Sequence, residues 1–208
     1  MRKMWAGRII GAAILGGAAL SFATGIAARA ESAAPGATED LVLGKADAPI
    51  TIIEYASLTC PHCAAFEAET LPKVQKDWID TGKAKLIFRD FPFDNSAFKA
   101  SVLARCAAPE RFYGFIDMLF KSQANWGHAA DPAAALGRIG KLGGVTEEKY
   151  KSCQDDKALT DGILAGRLYA EQTLKVESTP TFFINGRKVL GNLPYEKFEE
   201  ALKGGQPK

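Results

Sequence analysis

The tetrapeptide Cys60-Pro61-His62-Cys63 follows directly on an apolar run, Ile50-Thr51-Ile52-Ile53-Glu54-Tyr55-Ala56, and this junction restricts the fold more than any other stretch of the chain. The run reads as a strand. After it, Phe66, Leu71, Val74 and Trp78 recur at roughly helical spacing, and Pro61 stands where a helix tolerates proline best, in its first turn. Cys60 therefore falls at the helix cap, where unpaired N–H groups and the positive end of the helix dipole stabilise a thiolate. A separation of three residues puts both sulfurs on one helix face, within bridging distance. The junction predicts a redox-active dithiol on a strand–turn–helix unit, with a permanent structural disulfide as the alternative.

The first thirty residues carry Arg2, Lys3 and Arg8, then a stretch rich in Ile, Leu, Ala and Gly, and end in Ala28-Arg29-Ala30. This is the pattern of a secretory signal peptide with an A-x-A cleavage site, so residues 1–30 are expected to be removed; a retained membrane anchor is the other reading. Without them the chain loses four of its 26 basic residues and none of its 24 acidic ones, leaving a net charge of −2. The basic balance of the full chain thus belongs to the leader, and no nucleic-acid partner is expected. Export would place the rest in an oxidising compartment, a periplasm if the source is a Gram-negative bacterium, and an even count of four cysteines fits that.

Residues 31–40 read as a short, mobile polar lead. From 41 to 208 the pattern suits one domain. Leu41-Val42-Leu43 is a possible edge strand; a strand at Thr51–Ala56, a helix from Pro61 to about Thr81 and a strand at Lys85–Phe91 make a β-α-β unit, with Pro72 expected to kink or split the helix. A helical block of four or five helices follows at about 96–175. It is broken near Pro109, Trp126-Gly127, Asp131-Pro132 and Gly143-Gly144. Strand pattern returns at Thr181-Phe182-Phe183-Ile184, turns through Asn185-Gly186, a strong hairpin signal, and resumes at Lys188-Val189-Leu190 before a final helix at Pro194–Lys203.

Cys-Pro-His-Cys after a strand, together with Thr179-Pro180-Thr181-Phe182-Phe183-Ile184-Asn185-Gly186 much later, resembles the thioredoxin superfamily. The motif and the helical block look like its DsbA branch of secreted dithiol oxidases, and Phe88-Arg89-Asp90-Phe91-Pro92 is similar to that family's second core strand. The resemblance implies an α/β thioredoxin-like fold with a helical insertion between the β-α-β unit and the C-terminal hairpin and helix. It also implies a protein disulfide oxidoreductase, without cofactor, that hands the Cys60–Cys63 disulfide to reduced exported polypeptides. Reoxidation would come from a membrane quinone reductase similar to DsbB.

Within that picture Cys60 is the attackable sulfur and Cys63 its more buried partner. A low pKa lets Cys60 leave fast when substrate resolves the mixed disulfide. His62 is expected to bring its imidazole or dipole near Cys60. Zinc or copper held by Cys60, His62 and Cys63 is the competing reading, but the sequence offers no fourth ligand, and no metal is expected. Glu54, a carboxylate in an otherwise apolar strand, matches by resemblance an acid beneath the active site that moves protons to and from Cys63; an exposed glutamate at a sheet edge is the alternative. By the same resemblance Pro180 is cis and holds the Thr179 backbone beside Cys60, where it can bind an extended substrate. Thr179 departs from the Val that the best-known oxidases of the branch carry, which keeps an isomerase or reductase reading open.

Cys106 and Cys153 lie in the helical block. A structural disulfide between them is expected; it would close a loop of 48 residues counting both ends, worth roughly 4 kcal/mol in the chain-entropy model. Two buried free thiols, or a second redox pair tuning the first, are the alternatives. Isomerase-type relatives use an N-terminal oligomerisation region, and only about ten polar residues precede the first strand here, so a monomer is expected. A metal-binding role outside catalysis lacks any Met-rich or His-rich tract.

Overall fold

The computed structural model describes Ala34 and residues 36–204. The expected signal peptide lies outside the described residues. Five strands form one sheet in the order β1-β3-β2-β4-β5: β1 (Val42–Leu43), β2 (Ile50–Ala56), β3 (Ala84–Asp90), β4 (Thr181–Ile184) and β5 (Arg187–Leu190). Only β2 and β3 are parallel, joined by the helical crossover α1 (61–79); the other neighbours are antiparallel. This is the thioredoxin-like α/β fold with a helical insertion. Central β2 is flanked on both edges, and alternation along it sends Ile52, Glu54 and Ala56 to one face and Ile53 and Tyr55 to the other. The second face packs on Ala170, Leu174 and Val176.

The helix that follows the dithiol is continuous, and Pro72 does not break it. Its turns widen instead, running as Pro61–Ala65, a π-helical Phe66–Thr70, Leu71–Val74 and a second π-helical Gln75–Ile79. A wide turn just before Pro72, in which the Leu71 N–H donates to the Phe66 carbonyl, relieves the crowding that a proline ring causes one turn back. Phe66 is fully buried and meets Phe182 at 4.6 Å and Phe198, from the last helix α8 (Tyr195–Leu202), at 5.2 Å.

The insertion divides more finely than its breaker residues suggest. It holds α2 (Asn95–Cys106), a 3-10 turn (Pro109–Arg111), α3 (Phe112–Lys121), α4 (Gln123–Trp126), α5 (Pro132–Leu142), α6 (Glu147–Asp155) and α7 (Lys157–Gln172). The extra boundaries are Ser122, between α3 and α4, and Asp156, both breaks without Gly or Pro; the Asp156 carboxylate accepts the N–H groups of Ala158 and Leu159 and so starts α7 as α6 ends. Asp131 and Thr146 cap α5 and α6 in the same way. Cys106 of α2 and Cys153 of α6 form a disulfide across the insertion.

The polar lead is not loose where it is described. Arg89 on β3 is buried and needs a counter-charge, so it draws in Asp40 through two hydrogen bonds of 2.9 and 2.7 Å and donates a third to the Tyr55 hydroxyl. Arg105 pairs with Asp90 and donates to the Glu39 carbonyl, holding the same segment. The hairpin turn uses Asn185 and Gly186, both at positive φ, as its two-residue loop requires.

Candidate active site

Cys60 caps α1 in extended conformation (φ −79°, ψ 121°), and its carbonyl accepts the Ala64 N–H at 3.1 Å. Both Cys60 and Cys63 are free thiols and buried, at 6% and 0% exposure; Pro61 and His62 between them are exposed. The two sulfurs are electrostatically unlike. The Cys63 thiol donates to Cys60 and, against the opposing effect of burial, that bond together with Thr179 and the backbone N–H groups of Cys63 and His62 lowers the Cys60 thiol to about 5. Burial pushes Cys63 far the other way, helped by its bond to Cys60 and by the nearby Glu54 charge. His62 contributes through its main-chain N–H.

The Thr179–Pro180 bond is cis, and the Cys60 thiol donates to the Thr179 carbonyl at 3.4 Å across 119 residues of sequence. Glu54 is fully buried between Phe88 of β3 and Phe182 of β4, so it is no edge residue. Neither of its carboxylate oxygens has a hydrogen-bond partner among the described residues. Burial first, then the charges of Glu67 and Cys60, raise it well above the usual carboxylate range and so favour its protonated form. Cys106 and Cys153 stand apart from this group, bonded to each other.

Four further residues frame the site, and sequence reasoning passed over all of them. Glu67, one turn beyond Cys63 on α1 and half-buried, is itself raised to about 8 by burial and by Asp117. The Thr59 hydroxyl donates to Asp94 at 2.7 Å, and Asp94 also caps α2 by accepting from Ala97. The Gln123 side-chain amide donates to the carbonyls of Leu58 at 2.8 Å and Cys60 at 3.0 Å. The i+4 spacing from Cys63 is a signal that would have found Glu67; Gln123, 63 residues from Cys60, leaves none. Among the described residues no three His, Cys, Asp or Glu side chains group as metal ligands.

A family model described as Thioredoxin matches residues 37–204. A putative protein-disulfide oxidoreductase of Rickettsia bellii is 38% identical over 148 residues, 71% of this chain and 57% of that protein. The chain spans 54 to 59% of the length of the five Rickettsia relatives it matches. Among solved structures, alpha-DsbA1 of Wolbachia pipientis superposes with a TM-score of 0.74 at 33% identity, covering 80% of this chain and 90% of that one. Oxidised BdbD of Bacillus subtilis gives 0.68 at 26% identity, covering 79% and 91%. The five-stranded sheet with its helical insertion and the unlike pair of thiols at the start of α1 agree with these matches: the chain belongs to the thioredoxin family, among its DsbA-like members.

Proposed function

We propose that this protein is an exported, periplasmic thiol:disulfide oxidoreductase that donates a Cys60–Cys63 disulfide to reduced polypeptides during their oxidative folding. The observation that carries the reading is the asymmetry of the two thiols. A substrate thiolate attacks Cys60 Sγ, the Cys60–Cys63 bond breaks, and Cys63 leaves as a thiolate. Because Cys63 holds its proton tightly, it takes one at once, and protonated Glu54 is the buried acid in electrostatic contact to give it. A second substrate thiolate then attacks the substrate sulfur of the mixed disulfide. The substrate is oxidised, and Cys60 leaves as a thiolate without a proton because its pKa is about 5. The Thr179 carbonyl beside Cys60 is placed to accept from the backbone of an extended substrate once the Cys60 proton is gone. A membrane quinone reductase similar to DsbB would restore the disulfide, Glu54 taking back the Cys63 proton.

Thr179 at the cis peptide favours a second reading, an isomerase or reductase, and one comparison separates the two. The oxidised protein is given to a reduced multi-disulfide substrate and the reduced protein to a scrambled one. An oxidase forms disulfides stoichiometrically in the first assay and does little in the second; efficient rescue of the scrambled form with little net oxidation would sink the proposal.

The proton role of Glu54 has its own expected result. Glu54→Gln should slow exchange by about tenfold or more near neutral pH, the low end for loss of an acid–base group. Its stability should move the other way. A carboxyl whose pKa is raised on folding stabilises the native state fully below its unfolded pKa and loses that contribution as pH rises through the folded value, so the variant should gain on the parent as pH increases. Stopped-flow exchange and thermal melts from pH 5 to 9 read both, and kinetics unchanged across that range would remove Glu54 from the mechanism.

A further inference from the structure

We propose that Gln123 is a positioning residue for Cys60, through which the helical insertion holds the nucleophile's backbone in its reactive geometry. This rests on the thiol–disulfide exchange reading. The two hydrogens of one side-chain amide are spent on two carbonyls that flank Thr59, those of Leu58 and Cys60. An amide that bridges residues 58 and 60 fixes the rotation of the peptide units between them. Those units set where Cys60 Sγ points relative to the Thr179 carbonyl and to Cys63.

Gln123 is itself held from behind. It opens α4, and its own carbonyl accepts the Gly127 N–H at 2.8 Å. Fully buried Trp126 donates its indole N–H to the Leu119 carbonyl at 2.8 Å, tying α4 onto α3. On the other side of the same loop Thr59 donates to Asp94, Ser57 Oγ lies 3.2 Å from Thr59 Oγ1, and the Phe93 N–H donates to Ser57 Oγ at 3.4 Å. The loop 57–60 is thus gripped from two separate points in the insertion, Asp94 at the start of α2 and Gln123 at the start of α4. Only the second of these bonds reaches the Cys60 main chain.

The Cys60 carbonyl already accepts the Ala64 N–H. The added bond from Gln123 withdraws electron density from a carbonyl close to Sγ and orients its dipole, which favours the thiolate. It also holds the Cys60 backbone still while Cys63 attacks or leaves, and displacements well under 1 Å matter at that step.

Gln123→Leu keeps the bulk and removes both donors. Gln123→Glu keeps the shape, but at neutral pH it donates nothing and places a negative charge against two carbonyls. The Cys60 thiolate is titrated by its ultraviolet absorbance and by its rate of capture with iodoacetamide, neither of which needs a disulfide substrate. Gln123→Leu should raise the thiolate midpoint by about half a pH unit to one unit and slow resolution of a mixed disulfide about three- to tenfold, the scale of one net hydrogen bond. Gln123→Glu should raise the midpoint further. Its deficit in capture rate should shrink as acid protonates the new carboxyl, which then donates to one carbonyl again.

Tyr150→Phe, which removes a hydroxyl bond to the Lys99 carbonyl elsewhere in the insertion, is the control for a merely structural lesion and should leave the midpoint at the parent value. A parent midpoint in both Gln123 variants, or an equal shift in Tyr150→Phe, overturns the proposal. Should the parent protein fail to exchange disulfides at all, the functional reading falls, while the shift in thiolate midpoint still decides whether Gln123 positions Cys60.

Discussion

Cys63→Ala should stop turnover while leaving the protein able to capture a substrate. With Cys60 alone, a disulfide-bearing substrate is attacked and becomes covalently attached, and no second thiol stands on α1 to release it. Cys63→Ala also removes the strongest of the bonds that lower Cys60, so the Cys60 pKa rises from about 5, while Thr179 and the backbone N–H groups of residues 62 and 63 still favour the thiolate. Capture should proceed at neutral pH and fall away in mild acid. The loss of turnover should be about a thousandfold or more, since covalent intermediates without a resolving group decay only by external thiols. Non-reducing electrophoresis and mass spectrometry of the adduct measure it. Release at the parent rate would mean that Cys63 is not the resolving group. Cys60→Ala in the same experiment should capture nothing at neutral pH, because burial pushes the Cys63 thiol up and favours its neutral form.

The second large effect is a pH dependence of stability confined to the reduced protein. Cys60 falls from an ordinary value of 9.0 to about 5 on folding. A depressed pKa contributes stability that is complete above the unfolded value and disappears as pH falls through the folded one. Between pH 9 and pH 5 the reduced form should therefore lose about 1.4 kcal/mol per pH unit relative to the disulfide form, whose cysteines do not titrate. At pH 7 about 3 kcal/mol of that advantage should remain. Glu54 is present in both redox states, so the comparison largely removes its contribution. Denaturant titrations of the two forms at pH 5, 7 and 9 test it, and a margin independent of pH would show that the Cys60 thiolate is not stabilised by the fold. The same stabilisation of the reduced state is what makes a disulfide donor thermodynamically willing to give its bond away.

Much of the site was legible without coordinates because its signals are short-range. The strand before Cys60, the proline in the first turn of α1 and the three-residue spacing of the thiols all act within a few residues, and local periodicity reports them. Glu54 was legible in part: a lone carboxylate in an apolar strand is costly if that strand is central, and the pairing of β2 with both β3 and β4 removed the alternative of a sheet edge. The Asn185-Gly186 turn specified its own hairpin through two positive φ angles. Pro72 misled because the helix had a third option besides kinking and breaking, a widened turn that keeps its hydrogen bonds.

The chain's own order of residues determined the dithiol, the elements that carry it and the carboxylate beneath it. Tertiary structure alone decided that the Gln123 amide from the insertion reaches Cys60 and that Asp94 holds Thr59. It also turned two readings of the sequence into contacts, the Thr179 carbonyl from 119 residues away on Cys60 and, apart from the site, the bond between Cys106 and Cys153. It also decided that the lead is pinned, since only the burial of Arg89 creates the demand that Asp40 meets. Contacts of this kind have no sequence period. They depend on how the insertion packs against the sheet through Phe88, Phe112 and Phe120. That packing sets the distances at which a thiol becomes a thiolate.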